Sequence, residues 1–418
     1  MNILFIVPYT PTPIRTRPYN LIRALVRRGH AVTLATVWAS DEERETLRAW
    51  EEGGVRVVAA RLTKARSAWN CLRALPTRAP LQAVWCWQPD LVSQMTESRP
   101  AFDFDVVHVE HLRGAHYGLS LKSKIQNPKS KIPIVWDSVD CISYLFEQAA
   151  RDSRSRLGRW MTRLELARTR RYEAWLLTQF DRILVTSQID KQAFENLISQ
   201  RSNVPTFQRL NVLPNGVALA YFTPGDESRD PATVVFSGKM SYHANITAAL
   251  HLANDIMPRV WAQRPDVSLC IVGKDPPAEI RALAGVGEQS ATQNPKSKIV
   301  VTGTVPDIRP YLWAATVAVA PIPYGAGVQN KVLEAMACGT PVVASPVAVS
   351  ALDVTDGEQL LVAEDAEQGA AAILRLLADA PLRNRLSSAG RRYVEQHHDW
   401  DAVAGRLETI YEAVRREA

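Results

Sequence analysis

Lys331 and Glu334 stand one helical turn apart, behind a Gly325-Ala326-Gly327 turn. A glycine-rich turn that opens a helix offers free backbone N–H groups and a positive dipole end to an anion. Lys331 adds a full charge, and Glu334 can accept hydrogen bonds from hydroxyls. A diphosphate flanked by sugar hydroxyls is a ligand that fits such a pair. The run stops at Cys338-Gly339-Thr340-Pro341, and an apolar strand follows at Val342–Ala344.

More chemistry sits where other short apolar runs end. In parallel α/β sheets ligands lie beyond the carboxyl ends of the strands. After Thr233–Phe236 come Gly238, which permits close approach, and Lys239, which can meet a diphosphate. Gly273 follows Ser268–Val272, and Gly303 and Val305 follow Ile299–Thr302. In the first half, Arg15 and Arg17 lie in the first strand-to-helix turn, and arginine recognises phosphate through a planar fork. Glu110 and His111 end the strand Val106–Val109, and only one of them can point into a cleft. Asp137 and Asp140 end the next one. Asp103-Phe104-Asp105 spells a metal-binding Asp-x-Asp, but it precedes its strand and so lies at the wrong sheet edge for a metal role.

The elements that must position these residues alternate from end to end. Expected strands are Ile3–Val7, Ala31–Thr36, Val55–Ala60, Val106–Val109, Ile132–Trp136 and Arg182–Thr186 in the first half. The second half adds Thr233–Phe236, Ser268–Val272, Ile299–Thr302, Val317–Ala320 and Pro341–Ala344. Short apolar strands separated by helical patterns, such as Tyr19–Arg28, predict an α/β fold with doubly wound parallel sheets. Leu213-Pro214-Asn215-Gly216 marks a break. The expectation is two Rossmann-like lobes facing a cleft, residues 1–215 for an acceptor and 216–399 for a donor. The helix at 400–418 is expected to return to the first lobe.

The ordered set of turns resembles the retaining glycosyltransferases of the GT-B fold, family four, and in particular the sugar transferases of bacterial exopolysaccharide systems. The segments that carry the likeness are Phe236–Tyr242, Thr302–Tyr311 and Gln329–Ala337. The resemblance implies a nucleotide diphosphate sugar as donor substrate, no cofactor, no metal and a retained anomeric configuration. It implies donor contacts at Gly238, Gly273, Gly303, Val305, Gly325, Ala326, Gly327, Val328, Asn330 and Glu334, the last on the nucleotide ribose. Lys239, Lys331, Asp140 and His111 are the implied catalytic groups, and Arg15, Arg17, Glu110 and Asp137 the acceptor contacts. Much of that family has two glutamates separated by seven residues; here the first position is Ala326. Val139 likewise stands where a histidine is usual. Both departures keep a second reading open, a nucleotide-sugar or polysaccharide binding protein with weak turnover.

The 418 residues contain 46% hydrophobic and 22% charged side chains, ordinary for a globular chain with a sizeable core. The net charge of +6 divides unevenly. Residues 1–215 carry 31 Lys and Arg against 20 Asp and Glu, and the remainder 18 against 23, so an anionic surface would meet the first lobe. Arginines between Arg151 and Arg171 alternate with Leu157, Trp160, Leu164 and Trp175, which suits either an anionic membrane or a core-facing helix. Nucleic acid is not expected, because no recognised binding motif occurs. Five unpaired-looking cysteines and a start without a signal peptide point to a cytoplasmic protein, at most peripheral on a membrane. A saccharide or lipid-linked acceptor suits these bounds. Gln126–Ile132 recurs letter for letter at Gln293–Ile299, read as late insertions in surface loops.

Overall fold

The computed structural model describes residues 1–97, 104–125, 132–152, 156–199, 209–225, 229–284, 298–324 and 328–417. They fall into two compact units, residues 1–214 with 400–418, and residues 215–399. Each is built on one sheet. The first sheet has seven strands: β1 Asn2–Val7, β2 Ala31–Trp38, β3 Arg56–Arg61, β4 Val106–Glu110, β5 Ile134–Val139, β6 Arg182–Val185 and β7 Leu210–Val212. The second has six: β8 Thr233–Ser237, β9 Ser268–Val272, β10 Ile299–Val301, β11 Val317–Ala320, β12 Val342–Ala344 and β13 Leu361–Val362.

All pairings between these strands are parallel. Parallel strands need crossover helices, which cover both sheet faces, so the central strands read as continuous apolar runs. Ile3, Phe5, Ile6 and Val7 of β1 have no exposed surface, and β8 and β11 are buried in the same way. The order β3-β2-β1-β4-β5-β6-β7 reverses between β1 and β4. In the second sheet, β10-β9-β8-β11-β12-β13, it reverses between β8 and β11. A crevice forms at the carboxyl ends of the strands where helices diverge to opposite faces.

Two expected strands begin late behind a proline. The run Ile132–Trp136 becomes β5 from Ile134, and Pro341–Ala344 becomes β12 from Val342. In each case a proline, Pro133 or Pro341, lacks the N–H that the ladder needs. The two-residue β13 carries too short a pattern to read from sequence. The helix Trp400–Glu417 packs on the helix Thr16–Arg27 and belongs to the first unit. Arg28 grips Glu408 with Nε at 2.7 Å and Nη2 at 2.6 Å, and Tyr411 Oη meets His108 Nδ1 at 2.8 Å.

In the second unit, Arg229 locks the far end of the helix that carries Lys331. Its guanidinium donates to the carbonyls of Leu312, Trp313, Ala315, Cys338 and Gly339 and to Thr340 Oγ1, at 2.7–3.3 Å. Arg229→Met would leave carbonyls at the ends of two helices without a donor. The expected cost is about 3 kcal/mol, read by chemical denaturation; a loss under about 1 kcal/mol would show that water replaces the guanidinium.

Candidate functional site

The second unit gathers its chemistry at the switch point. Gly238 follows β8 with φ 149°, and its N–H donates to Val272 O at 3.0 Å. Gly273, with φ 155°, lies so close that a Cβ there would fall 1.6 Å from Gly238 O. Gly273 is therefore required by backbone contact as well as by conformation, and Gly238 by its conformation. A Cβ on Gly238 would fall 2.9 Å from Asn245 Nδ2 and 3.2 Å from Lys331 Cε. The missing side chain is what lets those two groups approach the strand end.

Lys331 lies in the first turn of the helix Asn330–Ala337, whose N-cap residue Gln329 makes no side-chain cap. The first-turn N–H groups thus have no side-chain acceptor from the cap. Lys331 Nζ donates to Asn245 Oδ1 at 2.5 Å, and Asn245 Nδ2 donates to Lys239 O at 2.9 Å. Burial lowers the Lys331 pKa to about 8. Burial also pushes Glu334 up to about 7, with Lys331 opposing the rise. A cation and a carboxyl are thus held in a dry corner, where an anion and a hydroxyl would bind more strongly than in water. His243 and Tyr324 stack on each other, ring centroids 5.3 Å apart and planes 13° from parallel, with His243 Nδ1 3.0 Å from Tyr324 Oη.

The structure brings Gly238, Gly273, Lys331 and Asn245 together as one contact set. Glu334 lies on the same helix and Asn330 opens it. Gly303, with φ 69°, follows β10, and Val305 packs on the core. Val328 is buried, so any donor contact there is through its backbone. The Lys239 carbonyl joins the network, while its side chain is exposed. Gly325, Ala326 and Gly327 lie outside the described residues. Sequence reasoning assigned no role to Asn245, His243 or Tyr324. Their signal was present, since they lie in the loop and helix start that follow β8 and in the loop that follows β11.

The first unit holds a denser polar cluster at its own switch point. Tyr9 Oη donates to Glu110 Oε1 at 2.8 Å. Burial, then the Asp137 charge, raises Glu110 to about 8, so it holds its proton at neutral pH. Arg17 places Nε and Nη2 each 2.8 Å from Asp137 Oδ2, with Arg17 4% and Asp137 0% exposed. Burial alone would raise the Asp137 pKa, but Arg17 and His108 hold it below the ordinary carboxylate range. Both were expected to meet an acceptor; here they meet each other, because a guanidinium and a carboxylate this deep must pair.

Arg15 stays closer to solvent. It donates to Thr10 O at 2.8 Å and lies over the Tyr9 ring. His111 follows β4 at φ 63°, and its Nδ1 accepts from Arg113 N at 3.2 Å. Burial, reinforced by Arg113, drops its pKa to about 3, so the imidazole is neutral. Asp140 sits behind Val139, itself at φ 69°, and burial with the Asp190 charge lifts it to about 7. Glu173 accepts from the N–H groups of Ile142 and Ser143, and Asp190 from that of Cys141, so two carboxylates pin the loop that carries Asp140.

Among the described residues, no group of three or more His, Cys, Asp or Glu could hold a metal ion. Asp105 accepts from Asn2 N at 2.7 Å and pairs with Arg415, whereas Asp103 lies outside the described residues. So do residues 126–131 and 293–297, most of the two repeats. Among the described residues, no helix is long and apolar enough to cross a membrane.

Comparison with known proteins agrees across the chain. The model for glycosyltransferase family 4 matches residues 15–221, and that for glycosyl transferases group 1 matches residues 231–379. A phosphatidyl-myo-inositol mannosyltransferase of Mycolicibacterium smegmatis is 30% identical over 210 residues, 48% of this chain and 51% of that one. A D-inositol 3-phosphate glycosyltransferase of Acidothermus cellulolyticus is 28% identical over 258 residues, 57% of this chain and 54% of that one. The chain spans about half the length of the curated relatives it matches. Sucrose-phosphate synthase from Thermosynechococcus elongatus superposes with a TM-score of 0.68 at 19% identity, over 100% of both chains. Anabaena HepE in complex with UDP and glucose gives 0.65 at 15% identity, over 99% of this chain and 100% of that one. At these identities the likeness shows the fold, which is GT-B.

Proposed function

We propose that this chain, which belongs to the GT-B glycosyltransferases of family 4 and group 1, moves a sugar from a nucleotide diphosphate sugar to a saccharide or lipid-linked acceptor. The observation that carries the reading is the Gly238–Asn245–Lys331 contact set with Glu334 one turn behind it. A diphosphate beside Lys331 and the uncapped helix start would meet a cation and aligned N–H donors. As the glycosidic bond breaks, charge grows on the departing diphosphate, and groups already in place stabilise it without reorganising. Glu334 would accept hydrogen bonds from the nucleotide ribose.

The transfer is read as retaining and metal-independent, with Lys331 and the helix dipole in place of a cation. In the first unit, neutral His111, Glu110 and Asp140 end the strands next to the switch point and would receive the acceptor. The relatives are named for inositol lipids and inositol phosphate, which favours an acceptor of that chemistry over the exopolysaccharide intermediates that the motifs resemble. A binding protein without turnover is the second reading, favoured by the exposed Lys239 side chain and by Ala326.

A thermal-shift screen of UDP-, GDP- and other nucleotide sugars tests the donor, because a ligand selective for the folded state raises the midpoint. Sugar transfer with the best donor, followed in EDTA, separates an enzyme from a binding protein and tests the metal-free mechanism. Glu334→Ala is expected to weaken donor affinity by roughly 1.5–3 kcal/mol while the fold persists, as measured by calorimetry. Unchanged affinity in the folded variant would remove Glu334 from the site.

A further inference from the structure

The helix Lys64–Ala74 is inside out. Its buried face consists of Ser67, Asn70 and Ala74, and Asn70 Nδ2 donates to Trp87 O at 2.8 Å. Its outward face carries Trp69 at 51% exposure and Leu72 at 56%, and Leu75 just beyond its end is 52% exposed. An amphipathic helix on a globular protein normally turns the other stripe to water. Leu164 on the helix Arg156–Leu176 extends the patch at 46% exposure. It belongs to the same surface, because Arg168, one turn along that helix, donates to Leu75 O at 2.6 Å.

The chain segment around this stripe is basic. No Asp or Glu occurs between Glu52 and Asp90, whereas Lys64, Arg66, Arg73 and Arg78 all fall there. Lys64, Arg73 and Arg78 are exposed. Glu165, the nearby acid, is engaged by Leu81 N at 2.9 Å and by Arg168. On the second helix, Arg170 pairs with Glu147 at 2.6 Å and Arg168 with Glu165, while Arg163 and Arg171 are exposed.

We propose that the helix Lys64–Ala74 and the turn after it dock the first unit on an anionic membrane surface. The helix would lie flat at the interface. Trp69, Leu72 and Leu75 would enter the acyl boundary, and Lys64, Arg73 and Arg78 would meet the headgroup phosphates. A protein partner would satisfy the apolar stripe equally well, but the exposed basic residues beside it, with the one nearby acid already paired, select an extended negative surface. The inference stands apart from the nucleotide-sugar reading, since none of these residues belongs to either polar cluster.

The test is sedimentation of the full chain with vesicles of phosphatidylcholine alone or mixed with phosphatidylglycerol. Binding to the anionic vesicles is expected to be at least about tenfold tighter and to fall as salt is raised. Trp69→Glu with Leu72→Glu should abolish it, with thermal midpoint and nucleotide-sugar affinity unchanged, because both side chains are exposed. Should that pair lower the midpoint, Trp69→Ser with Leu72→Ser gives the same reading without added charge. Arg73→Glu with Arg78→Glu should remove the preference for anionic lipid. The proposal is overturned if the wild-type chain ignores anionic vesicles or if the Trp69 and Leu72 variants bind them as well as it does. It is also overturned if the patch instead drives a concentration-dependent dimer that Trp69→Glu disperses.

Discussion

Lys331→Ala is expected to slow sugar transfer by on the order of 10²–10³-fold, while donor affinity falls far less. The asymmetry follows from the surroundings of Nζ. In the resting protein the ammonium is held by Asn245 Oδ1 at 2.5 Å, and burial has brought its pKa down to about 8. A ground-state diphosphate gains one charge contact there. The departing diphosphate carries more charge, and the same contact then counts for more in a site that water does not screen. Removing Nζ also leaves Asn245, which keeps its bond to Lys239 O, so the loop after Gly238 should hold its shape. Steady-state kinetics with the donor found in the thermal-shift screen reads the effect. A folded variant whose turnover stays within a few-fold of wild type would place the leaving-group charge elsewhere, with the exposed Lys239 as the next group to replace.

Arg17→Met is expected to cost about 3–5 kcal/mol of stability, the usual result of stripping one partner from a buried ion pair. Two guanidinium nitrogens lie 2.8 Å from one oxygen of Asp137, and Asp137 has no exposed surface. The pH dependence has a definite sign. In the wild-type chain the Asp137 pKa is held below its unfolded value, so its contribution is complete above the unfolded pKa and is lost as pH falls through the folded one. Without Arg17, burial is opposed only by the neighbouring His108 and is expected to push that pKa up, so the buried carboxylate penalises folding more as pH rises. The deficit of the variant should therefore be larger at pH 8 than at pH 5. Denaturant titrations at both values check this. If Arg17 were an acceptor contact and not a strut, the variant would keep its stability and change the Michaelis constant for acceptor alone.

Much of the fold could be read in the chain before folding. Parallel strands buried on both faces are apolar along their whole length, so runs such as Ile3–Val7 and Val317–Ala320 announce themselves. Turns at strand ends carry their own marks: Gly238, Gly273 and Gly303 stand where φ is positive and a Cβ would collide or strain. The Gly325–Lys331–Glu334 order could be read as a candidate anion site because its logic is local, lying within ten positions of the chain. Partnership between distant residues is a different matter. Arg17 and Asp137 are 120 positions apart, and each alone looks like a polar group waiting for a ligand. The strand order β1-β4-β5 brings them to one edge, and exclusion of water then forces them to pair. Asn245 meets Lys331 across 86 positions for the same reason. The outward stripe of Trp69, Leu72 and Leu75 reads in sequence as an ordinary core-facing pattern, since periodicity reports that a helix has an apolar face and not which way that face points. Orientation is set by what the rest of the chain leaves to pack against, and only the tertiary structure contains that.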